Sequence, residues 1–150
     1  MRIRGFFKGG ELGAAFVTGT LVVRRLGIEE PLELLVDTGA TRTTISDRDA
    51  QRLGIDYSSL ERHPEGTLGV GGVVETYVIR GAELVFMTER GGHHKERLDV
   101  VHVLRHERPD ERVLRIPSIL GRDVINRYRL LMDRSRDLIV VTDEEIALSQ

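Results

Sequence analysis

An apolar run that stops abruptly at an acid constrains the fold more than any other feature of the chain. Apart from Glu33, residues 32–36 are all apolar, which is typical of a strand buried on both faces. The next residues, 37–40, are Asp-Thr-Gly-Ala. An ionised carboxylate at the end of a buried strand is costly unless hydrogen-bond donors or a partner charge compensate it. The pattern therefore predicts a carboxylate held rigidly at the edge of a core and open to a ligand.

The residues after Asp37 suit a tight turn that a ligand can approach. Thr38 supplies a hydroxyl group, and Ala40 adds little bulk. Gly39 lets a second backbone come close and can adopt a positive φ. A structural alternative is that Asp37 only caps the turn by accepting backbone N–H groups. Asp-Thr-Gly alone does not decide between the two interpretations, because a tripeptide recurs by chance.

A glycine-rich segment at residues 67–74 predicts a flexible hairpin tip. Gly69, Gly71 and Gly72 surround Val70, and β-branched residues stand on both sides. The segment is not predicted to bind phosphate, because it has no Lys-Ser/Thr pair and no following helix. Without further context, an ordinary glycine-rich hairpin remains an alternative.

A strand-to-helix junction is predicted at residues 116–123, Ile-Pro-Ser-Ile-Leu-Gly-Arg-Asp. Ile119 and Leu120 form an apolar pair, Gly121 ends the strand, and a short helix is expected from Asp123 to Arg129. Most other segments are predicted to be strands. These are Arg2–Phe7, Ala14–Val23, Glu29–Val36, Thr43–Ile45, Tyr77–Thr88, Leu98–Leu104, Leu130–Asp133 and Leu138–Val141.

The remaining segments are predicted to be connections. A short helix is expected from Asp47 to Leu53, with Ser46 as its N-cap and Gly54 after its end. Glu89–Arg97 is expected to be a polar turn that carries two adjacent histidines, and Arg105–Arg115 a solvated loop. No acid or thiol completes a ligand set around the histidines at the usual spacing, so no metal site and no cofactor are predicted.

The composition suits one domain spanning residues 1–150. There is no Cys, which excludes disulfides and thiolate chemistry. The net charge of -2, with both signs interspersed, argues against nucleic-acid binding. Leu12–Val23 follows three basic residues and faintly resembles a signal peptide, but Glu11, Gly13 and Thr18 dilute it. It is also too short to span a bilayer, so a core strand in a soluble, cytoplasmic protein is expected.

Taken in order, the three motifs resemble those of the retropepsin-like, single-domain branch of the aspartic proteases. The resemblance implies an all-β fold: a closed acid-protease-type β-barrel with a glycine-rich flap hairpin and one short C-terminal helix. It assigns Asp37 as the catalytic residue and Thr38, Gly39 and Ala40 as the active-site loop. It makes Gly69, Val70, Gly71 and Gly72 a flap that closes over substrate, with Val70 at its tip. It makes Ile119, Leu120, Gly121, Arg122 and Asp123 the motif that supports the loop.

One departure from the family pattern concerns the arginine of the third motif. Retroviral enzymes usually carry an acid two residues after the glycine, and this acid pairs with the arginine. Here that position is Thr41, so Arg122 must find another partner.

The family mechanism uses two carboxylates that share one proton, and the aspartic-protease dyad is the standard example of this effect. The chain has ten Asp residues, but only Asp37 is followed by Thr/Ser-Gly, so a homodimer is expected. Its substrate would be an extended peptide. The apolar strand Leu138–Val141 is expected to leave an unprotected edge that the second copy covers. The alternatives are a catalytically silent dimerisation or peptide-binding module, and a plain β-barrel with a fortuitous Asp-Thr-Gly.

Overall fold

Strands dominate the protein, as the sequence pattern predicts. The computed structural model describes residues 1–64, 67–69 and 72–147, without the side chains of residues 67–69, 72 and 73. Two α-helices lie in this part of the chain, α1 (Asp47–Arg52) and α2 (Arg122–Ile125), together with five single-turn 3-10 helices. The strands are β1 (Arg2–Arg4), β2 (Phe6–Lys8), β3 (Ala14–Val23), β4 (Ile28–Val36), β5 (Thr44–Ile45), β6 (Glu61–Arg62), β7 (Thr67–Gly69), β8 (Gly72–Met87), β9 (His93–Arg105), β10 (Ser118–Leu120), β11 (Arg129–Asp133) and β12 (Leu138–Thr142).

The larger sheet closes on itself around the core. Its strand order is β2-β3-β4-β10-β5-β9-β8-β6, and β7 pairs with β8. An additional pairing joins β3 to β8, with Leu21 opposite Leu84. The ring is therefore formed by six strands in the order β3-β4-β10-β5-β9-β8. Val17, Ile79 and Val101 lie fully buried inside this ring. The all-β fold class predicted from the sequence is therefore confirmed.

Strand β10 is inserted between β4 and β5, although it follows β5 by about 75 residues in the chain. It runs parallel to β4, with Leu120 opposite Val36, and antiparallel to β5, with Ile119 opposite Thr44. The carboxyl ends of β4 and β10 therefore lie side by side. This register brings the Asp37 loop next to the supporting motif at the end of β10.

A second sheet has the order β1-β12-β11, which corrects the prediction of an unprotected terminal edge. The predicted hairpin of β11 and β12 is present, but β12 is the central strand because Arg2–Arg4 pairs along its other side. The predicted first strand, Arg2–Phe7, is broken at Gly5 and contributes to both sheets. A Cβ at Gly5 would lie 2.5 Å from the Phe16 carbonyl oxygen, so this close crossing requires glycine.

The predicted polar turn at Glu89–Arg97 is too long, because β8 and β9 continue to the pair Met87 and His93. The two histidines therefore lie on β9, and Glu96 is buried. Arg127 Nη1 donates to Glu96 Oε2 at 2.8 Å, and the Tyr128 hydroxyl donates to Glu96 Oε1. Burial of the Glu96 carboxylate is tolerated because both of its oxygens accept hydrogen bonds. The local sequence pattern does not reveal these hydrogen bonds.

Two further boundaries differ from the sequence predictions. The C-terminal helix ends at Ile125 instead of Arg129, because Arg129 already belongs to β11. The Arg105–Arg115 loop is not wholly solvated, since Val113 and His106 are buried. The His106 backbone N–H donates to Asp47 Oδ2 at 2.7 Å, which attaches this loop to α1.

Helix α1 begins where the sequence predicts, because the Ser46 hydroxyl accepts a hydrogen bond from the Asp49 backbone N–H. It ends at Arg52, and Gly54 follows with a φ of 66°. In the described ranges, no helix is long and apolar enough to cross a membrane.

Candidate active site

Asp37 stands at the end of β4 with its backbone and side chain both fixed. Its N–H donates to the Leu120 carbonyl at 3.1 Å, which continues the pairing of β4 with β10. Its own carbonyl accepts from the Ala40 N–H at 3.2 Å and closes a turn. The Gly39 N–H donates to Asp37 Oδ1 at 2.8 Å. The carboxylate is half-buried, so it is compensated by a donor and still reachable from solvent.

Gly39 provides room for the turn and a backbone N–H donor. Its φ is not positive, although a glycine could adopt a positive φ. A Cβ at this position would lie 3.1 Å from Asp37 Oδ1. That distance is tighter than an ordinary van der Waals contact, so a side chain here would press on the carboxylate. Glycine therefore lets the turn fold directly beneath the acid.

A hydrogen-bonded link joins the Asp37 loop to the end of β10, and Thr43 is at its centre. Both carboxylate oxygens of Asp123 lie 3.0 Å from the Thr43 backbone N–H. The Thr43 hydroxyl donates to Asp123 Oδ1 at 2.8 Å and accepts from the Gly121 N–H at 3.2 Å. Thr43 is buried, at 2% exposure. Sequence reasoning did not assign Thr43 to the site, because a threonine in a β-branched strand has no distinguishing local pattern.

Gly121 packs directly against the backbone of the loop. A Cβ there would lie 2.4 Å from the Arg42 carbonyl carbon and 2.8 Å from the Thr43 nitrogen. These are backbone atoms, which cannot move without moving the loop. The two adjacent apolar residues complete the support, since Leu120 is buried and Ile119 pairs with both Leu35 and Thr44.

Arg122 has neutral partners in place of the missing acid. Its Nη1 donates to the Thr38 carbonyl at 2.9 Å, and its Nη2 donates to the Thr41 hydroxyl at 3.3 Å. Its backbone N–H donates to the Ala40 carbonyl at 2.9 Å. Arg122 therefore holds the loop at three points, and Thr41 keeps a bond to the arginine without an ion pair.

The supporting role of Thr43 predicts a large effect of removing its hydroxyl. We expect Thr43→Val, which keeps the shape, to lower the free energy of unfolding by about 2–3 kcal/mol, because the buried Gly121 N–H and the half-buried Asp123 carboxylate each lose a partner. Urea denaturation measures this change. Thr43→Ser retains the hydroxyl and is the matched control, with an expected loss near 1 kcal/mol for the deleted methyl group. Equal stabilities of the valine and serine variants would contradict the role of the hydroxyl.

A cavity of about 380 Å³ lies along the loop that follows Asp37. Its lining includes Arg42, His102 and Ile119. His102 faces the His63 ring edge-on, with 5.3 Å between the ring centroids. Burial lowers the pKa of His102, and the nearby His63 and Arg42 lower it further. Sequence reasoning did not place His102 at the site, because only the parallel pairing of β5 with β9 sets it opposite Thr44.

The proposed flap is described in part. The ladder between β7 and β8 ends at the pairing of Gly69 with Gly72. Val70 and Gly71 lie outside the described residues. Among the residues that are described, no three His, Cys, Asp or Glu side chains form a group able to hold a metal ion.

Comparisons with known proteins concern the family and the fold of the chain. The family model described as "Aspartyl protease" matches residues 22–124. The chain shares its fold with a retropepsin-like aspartic protease from Rickettsia conorii, at 17% identity and a TM-score of 0.59, over 94% of this chain and 89% of that chain. It also aligns with the EIAV protease complexed with the inhibitor HBY-793, at 22% identity and a TM-score of 0.47, over 80% and 92% of the two chains. A search of curated proteins found no match.

Proposed function

Because the chain belongs to the aspartyl protease family, we propose that it is an aspartic endopeptidase that hydrolyses peptide bonds. The observation that carries the proposal is the position of Asp37. Its carboxylate accepts from the Gly39 N–H at the end of a buried strand and stays half-exposed. Its loop is held from below by Arg122 and Gly121. Such a carboxylate is preorganised to bind and activate a water molecule.

Hydrolysis without a nucleophilic side chain needs a base and an acid at the same time. In the proposed reaction, one carboxylate accepts a proton from water, and the protonated partner carboxyl donates its proton to the oxygen of the scissile carbonyl. The water oxygen bonds to the carbonyl carbon, and the tetrahedral intermediate then collapses as the C–N bond breaks. The carboxyl group that took the proton from water donates it to the leaving nitrogen, and a hydroxyl group of the intermediate returns its proton to the other carboxylate as the new carbonyl forms, which restores the shared-proton pair.

We propose that the second carboxylate is Asp37 of another copy of the chain. Three other acids that are buried or half-buried, Asp47, Asp49 and Asp123, already have partners in the described structure. Asp123 is bound by Thr43, the Ser118 hydroxyl donates to Asp49 at 2.6 Å, and the His106 N–H donates to Asp47. Two-fold symmetry is the commonest way for one surface to meet its own copy. A symmetric homodimer would therefore set two Asp37 loops face to face across the axis.

The glycine-rich hairpin is part of the same proposal. Gly69, Val70, Gly71 and Gly72 would close over an extended peptide and exclude water from the reacting bond. The paired backbone of Gly69 and Gly72, at the end of the β7–β8 ladder, supports a hairpin there.

The experiment that tests the function measures cleavage and assembly together. Purified protein is incubated with an unfolded protein substrate from pH 3 to 8, and its association state is measured by sedimentation over the same concentrations. We expect cleavage, with activity per chain falling as dilution separates the dimer. An excess of Asp37→Asn chains should inhibit wild-type chains by forming mixed dimers once subunits exchange.

Three results would contradict the proposal in different ways. No cleavage at any pH, from a protein that is dimeric in sedimentation, would favour a silent dimerisation or peptide-binding module. Undiminished activity per chain from a protein that sediments as a monomer would exclude the paired Asp37 mechanism. Normal activity after subunit exchange with excess Asp37→Asn would exclude it as well.

A further inference from the structure

The cavity beside the Asp37 loop has apolar walls and a cationic side. Ala40, Leu104 and Ile119 contribute apolar surface, and Thr44 adds its methyl group. The ionisable groups in the lining are Arg42 and His102, and no Asp or Glu is among the lining residues. A cavity of about 380 Å³ has room for one long substrate side chain. The lining therefore combines space for an aliphatic chain with positive charge.

Arg42 has a fixed backbone and an uncommitted side chain. Its carbonyl accepts from the Thr44 hydroxyl at 3.0 Å, and its peptide lies against Gly121. Its side chain is exposed and makes no hydrogen bond or ion pair with the described part of the chain. In contrast, the guanidinium groups of Arg122 and Arg80 are engaged, by Thr38 and by Glu61. Arg42 thus presents a permanent charge at a defined place on the cavity.

Asp123 lies outside the cavity lining and makes no ion pair with Arg42 in the described part of the chain. Among the described residues, Asp123 is the carboxylate that raises the pKa of His102, and its effect is smaller than the lowering by burial, by His63 or by Arg42. Both Asp123 oxygens already accept from Thr43. No Asp or Glu lines the cavity, so a ligand with a carboxylate could reach the Arg42 guanidinium without a competing acid in the lining.

We propose that this cavity binds an acidic side chain of the peptide substrate, and that Arg42 is the residue that selects it. The inference rests on the proposed peptidase function and adds a substrate class to it. A glutamate would lay its methylene groups on Ile119 and Leu104 and place its carboxylate against the Arg42 guanidinium, which can bind both oxygens. Arg42 would act on substrate binding and orientation, and it takes no part in proton transfer.

The test uses peptides that differ only by Glu, Gln or Lys at the positions flanking the scissile bond. Glutamine has the same shape as glutamate and no charge. We expect wild-type kcat/KM to favour the Glu peptide by about tenfold, the size of one charge-assisted contact. Arg42→Gln should remove the preference, and Arg42→Glu should reverse it toward a Lys peptide. Equal rates for the Glu and Gln peptides with wild type, or an unchanged preference in Arg42→Gln, would overturn the inference.

A matched control and a second measurement separate this inference from the peptidase function. Arg97 is an exposed arginine on β9 with no hydrogen bond or ion pair to the described residues, so Arg97→Gln should keep the wild-type preference. Binding of the same peptides to Asp37→Asn, measured by fluorescence anisotropy, reports selectivity without turnover. If the wild type shows no cleavage, and Asp37→Asn binds the Glu peptide about tenfold more tightly than the Gln peptide, the peptidase function fails and the inference on Arg42 stands. Equal binding of both peptides, or binding of neither, overturns it.

Discussion

Asp37→Asn is expected to abolish peptide hydrolysis and leave the fold intact. The amide cannot accept the proton from water or share a proton with the facing carboxyl group, so we expect kcat to fall by about 10⁴-fold or more. The fold should persist, because the amide oxygen of Asn can still accept from the Gly39 N–H that lies 2.8 Å from Asp37 Oδ1. Cleavage of an unfolded protein at mildly acid pH measures the loss.

Asp99→Asn is the matched control for this prediction. Asp99 lies exposed on β9, and no ion pair or hydrogen bond joins its side chain to the described residues. Its activity should equal that of the wild type. Circular dichroism and urea denaturation should give wild-type values for both variants. Full activity in Asp37→Asn would remove Asp37 from the mechanism.

Gly121→Ala is expected to disrupt the support of the Asp37 loop. The added Cβ would lie 2.4 Å from the Arg42 carbonyl carbon and 2.7 Å from its oxygen, and neither atom can swing aside as a side chain could. Relief requires β10 to separate from the loop, which would strain the Arg122 N–H to Ala40 bond and the Thr43 network. We expect a loss of about 3 kcal/mol, the upper end of ordinary overpacking, and a Tm lower by about 6–12 °C.

Gly92→Ala is the matched control, because a Cβ at Gly92 would meet Thr88 Oγ1 at an ordinary 3.4 Å. Its stability should stay close to that of the wild type. Activity of Gly121→Ala, measured below its Tm, should fall more than the folded fraction does, because the loop would shift relative to Asp37. A Gly121→Ala protein with the Tm and activity of the wild type would contradict the proposed close packing.

Local sequence was sufficient for most of the strands and for the position of the candidate acid. The strand Ala14–Val23 is found with the predicted boundaries, and Ser46 caps α1 as predicted. The apolar run that ends at Asp37 correctly indicated a core strand, but the prediction of burial on both faces was wrong. In β4, Leu32, Leu34 and Val36 are buried on one face, while Glu33 on the other face is exposed and Leu35 is half-buried. The sequence also identified Gly39 in the loop and Gly121 in its support. The positive φ considered for Gly39 is not found in the turn.

Pairing between distant segments was beyond the reach of the sequence. Nothing local places β1 along β12, so the terminal edge predicted at Leu138–Val141 proved to be a central strand. Burial of Glu96 depends on Arg127, which is far along the chain and becomes adjacent only after folding. The same limit applied to Arg122, whose bonds to Thr38 and Thr41 exist because β10 lies between β4 and β5.

The sequence by itself identified the candidate site residues: an acid on a small-residue turn, a glycine-rich segment and an apolar pair before Gly121-Arg122-Asp123. Their types and order are encoded locally. The tertiary structure alone decided what surrounds them. Thr43 became the link between loop and support, and Arg42 and His102 came to line one cavity, because these contacts join strands that are far apart in the chain. The register of the strands around the closed ring fixes those neighbours, and no local sequence pattern specifies that register.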